Sequence, residues 1–248
     1  MSFPLSPASV APRAPQPLVR WTLVAPAMPA APVAPARAVA NSPAGGSAAF
    51  DIANVPQDVL GVHMTQYRSL LLPDGPAFGN ANCGPASAVM GVRLLGLDLP
   101  GFSGEHSERV IDAARLIATG ANDASVGTTK TQQAKIVTAA GAKFHATRDL
   151  DEALDAVAHG QVALVGGDFN AAGWRQLFGR PDVAPGPAAH AIVVSHYDAA
   201  TNAYWVNDPL MTAPHAVSRA QLASFAGAAT GSVIASPALV LRRVSDTA

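Results

Sequence analysis

Cysteine is nearly absent: Cys83 is the single one in 248 residues, so no intramolecular disulfide can form and the usual metal clusters of paired Cys and His are excluded. Charge is scarce too. Asp, Glu, Lys and Arg make up 13% of the chain and the formal net charge is −1, which leaves no basic footprint for nucleic acid. No apolar run reaches the roughly 18 uninterrupted residues that a membrane-spanning helix needs. What remains is apolar, 49% of residues with a mean hydropathy of +0.22, enough to fold around a substantial core.

The first fifty positions differ from the rest. They hold 14 Ala, 10 of the 21 Pro, three Arg and no acidic residue, and proline at that frequency prevents a helix from propagating. A disordered or polyproline-like tail over 1–50 is expected, followed by one folded domain over 51–248. A cleavable signal peptide is the competing reading of 18–24. Pro26 ends that apolar run early, and Arg13 and Arg20 straddle it. The composition suits a secretion signal read in an unfolded N-terminus, so the expected location is secreted, with delivery into another cell as one form of that and a cytoplasmic protein as the alternative.

Within the domain, 59–67 reads as a strand-like approach, and a loop with Pro73, Gly75, Pro76 and Gly79 leads to Cys83. Ala86, Ala88, Val89, Met90 and Val92 then form a buried helix, with Pro85 near its start, where a missing N–H costs nothing. Helices are predicted over 104–118 and 129–140, the second closed by Gly141. A strand at 142–147, a helix at 150–159 and a strand at 162–167 follow. The stretch 168–187 is a Gly- and Pro-rich loop with Trp174 and Phe178 as packing anchors or lid residues. Strands at 190–197 and 203–207 form a hairpin, and a short helix at 221–225 precedes a last strand at 238–242. Helices first and antiparallel strands later indicate an α+β fold.

The chemistry starts from the thiol. Orphan amides and the helix dipole favour a thiolate at Cys83. Their worth, about 0.3 to 1 kcal/mol, is below the 1.36 kcal/mol of one pKa unit, so a cationic partner is required. Of seven histidines, His63, His106, His145, His159 and His215 stand in ordinary surroundings. His190 and His196 share a strand and, by its two-residue period, a face about 20 Å long. Only one can reach the thiol. His190 enters from the Gly/Pro-rich loop and is the candidate; His196, beside the hairpin turn, is assigned a structural role. Asp208, on the returning strand, comes back beside His190 and can orient the imidazole, with Asn207 as the amide alternative. An oxyanion would be met by the Cys83 backbone N–H and a side-chain amide. Gln66 is the best placed, Asn80 and Asn82 compete, and Gln132 and Gln133 read as helix surface.

These motifs resemble the papain-like cysteine peptidases related to the bacteriocin-leader (double-glycine) processing group. The resemblance rests on Gln66, on Asn82-Cys83-Gly84-Pro85-Ala86-Ser87 with Met90, on His190-Ala-Ile-Val-Val, and on Val206-Asn207-Asp208-Pro209. It spans roughly 57–242. It implies a papain-like fold, with the nucleophile helix packed on an antiparallel sheet. It also implies Cys83 as nucleophile, His190 as general base and acid, Asp208 as orienting group and Gln66 as oxyanion donor. Two departures stand out: the 17-residue step from Gln66 to Cys83, longer than in papain, and His196 where relatives usually carry glycine. The expected activity is hydrolysis of an amide, a peptide bond first, in a protein or peptide substrate without cofactor or metal. Protein-glutamine deamidation, peptidoglycan amide hydrolysis and transglutamination share the triad. An inactive binding module on the same fold is the reading from another class.

Overall fold

The computed structural model describes residues 54–66, 81–171, 174–177, 189–228 and 231–244. The tail expected over 1–50 lies outside them, as do the loop ahead of Ala81, Phe178 and most of the stretch 168–187.

The described chain starts with α1 (Gln57–Gly61) and not with the strand expected over 59–67. Pro56 at the N-cap and Asp58 in the first turn are helix-start signals that outweigh the apolar pattern. Val59 from this turn packs with Val55 and Trp205. The Cys83 helix is α2 (Cys83–Leu94), with Cys83 itself as first residue and Pro85 two positions later, still among the amides that lack an intrahelical partner. Then come α3 (Glu108–Thr119), α4 (Lys130–Ala139), β1 (Lys143–Asp149), α5 (Leu150–Ala158), β2 (Val162–Asp168), the single turn α6 (Trp174–Leu177), β3 (Ala189–Asp198), β4 (Ala203–Asn207), β5 (His215–Val217), α7 (Arg219–Ala226) and β6 (Val233–Arg242). Gly141 follows α4 at φ +83°, a left-handed position that only glycine adopts without strain.

The strands form one antiparallel sheet in the order β1-β6-β2-β3-β4-β5. Its central strands are apolar on both faces because each face meets helices. Leu164, Val193, Leu239 and Leu241 face the core built by α2, α3 and α4. Ala163, Val165, Ile192, Val194 and Val240 face the core built with α5 and α7. The period of two sends alternate residues to opposite layers. β6 is longer than the strand predicted from Ala238 because it begins at Val233 and passes Pro237 inside a register shift against β1. Such an irregularity is where a sheet tolerates proline.

α2 is the central helix of its layer. Ten of its twelve residues are buried, as expected of a helix apolar all round. Its Gly91 lets the sheet approach: a Cβ there would stand 2.9 Å from Leu164 Cδ2. Ser87 Oγ donates to the Ala191 carbonyl of β3 at 2.9 Å. These contacts fix the helix that carries the thiol against the strand that carries His190. Leu164→Ala, which empties the space above Gly91, is expected to lower unfolding free energy by about 2–5 kcal/mol. Urea denaturation measures it, and a loss well below that range would show that α2 and the sheet are not close-packed here.

Candidate active site

Cys83 is half-buried at the start of α2. Asn82 is its N-cap, but the Asn82 side chain makes no cap hydrogen bond. Its Oδ1 accepts instead from Nε of Arg115, a fully buried residue of α3. The same guanidinium donates to the carbonyls of Asp123 at 2.7 Å, Val126 at 3.0 Å, and Ala81. One side chain thus holds the two residues before the thiol and the loop that faces them. Burial lowers the Arg115 pKa and the charge of Cys83 opposes that shift, so this cation also stands in the field of the thiolate. No sequence signal singled out Arg115, since a helical arginine reads as solvated.

Gly84 explains the glycine after the thiol. A Cβ there would stand 2.0 Å from Thr128 Oγ1 and 2.7 Å from Gln133 Nε2, so only glycine lets α2 begin this close to α4.

His190 lies near the start of β3, 6% exposed, in register with Gly167 of β2. A Cβ on Gly167 would stand 2.2 Å from the Phe225 carbonyl oxygen, so the glycine admits α7 and brings Phe225 to the imidazole. The rings of Phe169 and Phe225 meet the imidazole edge-on, with centroids 5.4 and 6.2 Å away. His190 Nε2 is 2.6 Å from Asp208 Oδ1. Asp208 is fully buried. Its Oδ1 also accepts from the Leu210 amide at 2.8 Å, and its Oδ2 accepts from Trp174 Nε1 at 3.4 Å. With Nε2 engaged by Asp208, Nδ1 is the ring nitrogen left for Cys83, to which His190 is hydrogen-bonded.

The electrostatics follow from burial against pairing. Burial pushes the imidazole pKa down, but the Asp208 charge and hydrogen bond, and then the Cys83 thiolate, carry it up to about 10. Burial pushes the thiol pKa up, but His190 and the backbone amides of Ala191 and Gly84 bring it below its ordinary value. Each group stabilises the charged form of the other. His63 and His215, read as ordinary from sequence, are also in the field of Asp208. Burial lowers both pKa values, that of His215 to about 4, while Asp208 opposes the change. Both are thus pushed toward the neutral form, whereas His190 is pushed toward the charged one.

His196 does not share the His190 face, because a register shift between Val194 and His196 breaks the alternation and leaves His196 exposed. Asn207 does not meet His190: its Nδ2 donates to the Val59 carbonyl at 2.8 Å. Gln66 is buried and its backbone N–H donates to the Pro209 carbonyl at 2.8 Å, one residue beyond Asp208. Asn80 lies outside the described residues. Gln132 closes the capping box of α4 with Thr129. Gln133 is not helix surface: it is 3% exposed and lines the cleft beside Cys83, because α4 turns this side toward Gly84. Trp174 is a buried anchor, stacked on Phe225 with centroids 4.4 Å apart.

A cavity of about 410 Å³ opens on Cys83 and His190, with Lys130, Gln133, Asp168 and Phe225 among its walls. Among the described residues no group of three or more His, Cys, Asp or Glu is arranged to hold a metal ion, and no helix is long and apolar enough to cross a membrane.

The helices, the antiparallel sheet and the placement of Cys83 define a papain-like α+β protein. Its family is shown by comparison: the family described as "Peptidase_C39 like family" matches residues 60–228. The chain belongs to this family of cysteine peptidases. Solved structures it resembles include the peptidase domain of Streptococcus ComA, a bifunctional ABC transporter involved in quorum sensing. That likeness has 14% identity, 66% of this chain and 92% of that one, and a TM-score of 0.43. Another is a double glycine motif protease from an AMS/PCAT transporter in complex with the leader peptide, at 13% identity, 65% and 84% coverage and TM-score 0.40. A third is a C39-like peptidase from Bacillus anthracis, at 14% identity, 77% and 96% coverage and TM-score 0.46. Comparison with curated proteins finds no match.

Arg115→Met should lower unfolding free energy by about 3 kcal/mol, since the buried Asn82 Oδ1 and three part-buried carbonyls lose their donor and a buried acceptor left unsatisfied costs about 1–3 kcal/mol. Denaturant unfolding checks this, and a change near zero would refute the clamp.

Proposed function

We propose that this protein is a cysteine hydrolase that cleaves an amide bond, a peptide bond first, through Cys83, His190 and Asp208. The observation that carries the reading is the buried contact of 2.6 Å between His190 and Asp208, with Cys83 hydrogen-bonded to the same imidazole.

The steps follow from the geometry. The Cys83 thiolate attacks the carbonyl carbon, forming an S–C bond and a tetrahedral oxyanion. Backbone N–H at the start of α2 meets that charge, with the Gln66 side chain as second donor. The imidazolium of His190 gives its proton to the departing amine as the C–N bond breaks, leaving a thioester. Neutral His190 then takes a proton from water, which attacks the thioester and regenerates the thiolate. Asp208 holds the ring so that one nitrogen faces the sulfur. Cys83 is the only thiol, so the chain has no second nucleophile of that kind.

Family membership supports a peptide or protein as substrate. The acid-free, Ala- and Pro-rich segment 1–50 supports export, with the protein acting as a secreted bacterial effector. An amine in place of water as acyl acceptor would make the same thioester a transferase intermediate, and a side-chain carboxamide would make the enzyme a deamidase. Product mass with and without added amines separates these.

Two outcomes test the proposal. Cys83→Ala and His190→Ala should abolish peptide turnover while the chain stays folded, and Asp208→Asn should cut the rate about 10²- to 10⁴-fold. Retained turnover in Cys83→Ala would sink it. The pH profile has a definite sign. Activity needs thiolate and imidazolium together, so it should rise with pH through the lowered pKa of Cys83 and fall as His190 loses its proton at about 10. By linkage, the stability contributed by His190 is fully present below its ordinary value of 6.5 and lost as pH rises through about 10. An activity maximum on the acid side of the ordinary imidazole range would contradict the ion pair.

A further inference from the structure

One wall of the cleft carries polar groups that the triad leaves unused. Lys130 is the first residue of α4 and lines the cavity that holds Cys83 and His190. Its stem crosses β2 where there is no side chain: a Cβ on Gly166 would stand 3.2 Å from Lys130 Cε. Its Nζ donates to the Leu164 carbonyl at 3.0 Å. Among the described residues it makes no ion pair, although Asp168 lines the same cavity. An ammonium has three donors, so two remain. The charge is also at the wrong end of its helix, since the N-terminal dipole of α4 repels a cation and favours an anion. One turn on, at the i,i+3 spacing that shares a face, Gln133 lines the cavity as well. Gln133 is 3% exposed, its Nε2 donates to the Thr128 carbonyl at 3.3 Å, and its buried Oε1 has no partner among the described residues. A buried acceptor without a donor costs about 1–3 kcal/mol, and a ligand N–H would relieve it.

We propose that Lys130 makes this site select substrates with a carboxylate beside the scissile amide, and that Gln133 Oε1 accepts an N–H from the same substrate. The inference rests on Cys83 being the reacting thiol. The carboxylate belongs either to an acidic side chain or to a free C-terminus, and both present the same anion to Nζ. Burial holds the Lys130 amine down to about 7 while the Cys83 charge opposes the shift. An entering carboxylate would restore its full charge.

Alkylation of Cys83 in the full chain tests this without knowledge of the substrate. In each case the S–C bond forms as the halide leaves, the leaving group is the same within each pair, and a free thiol supplies the reference for intrinsic reactivity. The first pair is iodoacetate and iodoacetamide, and the readout is the ratio of their rates, in which any change of thiolate fraction cancels. Relative to a free thiol, the wild type should favour iodoacetate, and Lys130→Met should reduce the ratio about five- to tenfold. Lys130→Gln serves if the Met variant does not fold. The same ratio in wild type and variant would overturn the inference. The second set distinguishes the two sources: chloroacetyl-glutamic acid amide against chloroacetyl-glutamine amide, and chloroacetyl-glycine against chloroacetyl-glycinamide. Preference for the acid member of either set, lost in the Lys130 variant, supports the site and identifies which carboxylate it takes. Preference in neither overturns it. If iodoacetamide labels Cys83 no faster than a free thiol, the triad itself fails; rapid labelling with no charge preference removes only the role of Lys130.

Discussion

Burying an imidazole that is to carry charge is unfavourable unless a counter-ion is buried with it. At the centre of this molecule the two are 2.6 Å apart, and much of the surrounding structure keeps them so. Asp208 cannot relax toward water. The Leu210 amide and Trp174 Nε1 take two more of its acceptor positions, and burial pushes the neighbouring histidines toward the neutral form. The ring of His190 is confined between the edges of Phe169 and Phe225. The stabilisation of the cation is therefore concentrated on one carboxylate and one thiolate.

The second constraint is distance between layers. Thiol and imidazole belong to different elements, α2 and β3, and meet only if helix and sheet approach closely. Gly91 over Leu164 provides that approach, while Gly84 against Thr128 and Gln133 seats α2 beside α4 and Gly167 beneath Phe225 admits α7. Ala191 completes the join, because its carbonyl accepts from Ser87 while its amide lies against the Cys83 sulfur. Arg115 fixes the other side of the thiol through Asn82 and Ala81. Side-chain positions in such a site depend on packing supplied by all its neighbours.

Much of this was legible in the sequence, and the limits have physical causes. The helix after Cys83 announces itself by its apolar run, and the hairpin by alternation and turn residues, so the return of Asp208 toward His190 follows from topology. The α1 turn was hidden because five residues are too few for a helical period to emerge. The exposure of His196 was hidden because a register shift at Ser195 reverses the alternation, and nothing local marks it. Arg115 and Gln133 were hidden for another reason: polar residues on a helix read as solvated unless tertiary contacts bury them, and those contacts come from elements far away in sequence. The cleft wall formed by Lys130 and Gln133 is likewise a product of how α4 meets α2, not of any motif.

The most direct test of the account is the protonation state of His190 at about neutral pH, read by nitrogen NMR of the imidazole in wild type and in Cys83→Ala. An imidazolium is expected in the wild type, with both ring nitrogens protonated well into the alkaline range, and an earlier titration once the thiolate is removed. A His190 that is neutral near pH 7, or that titrates identically without the thiol, would contradict it.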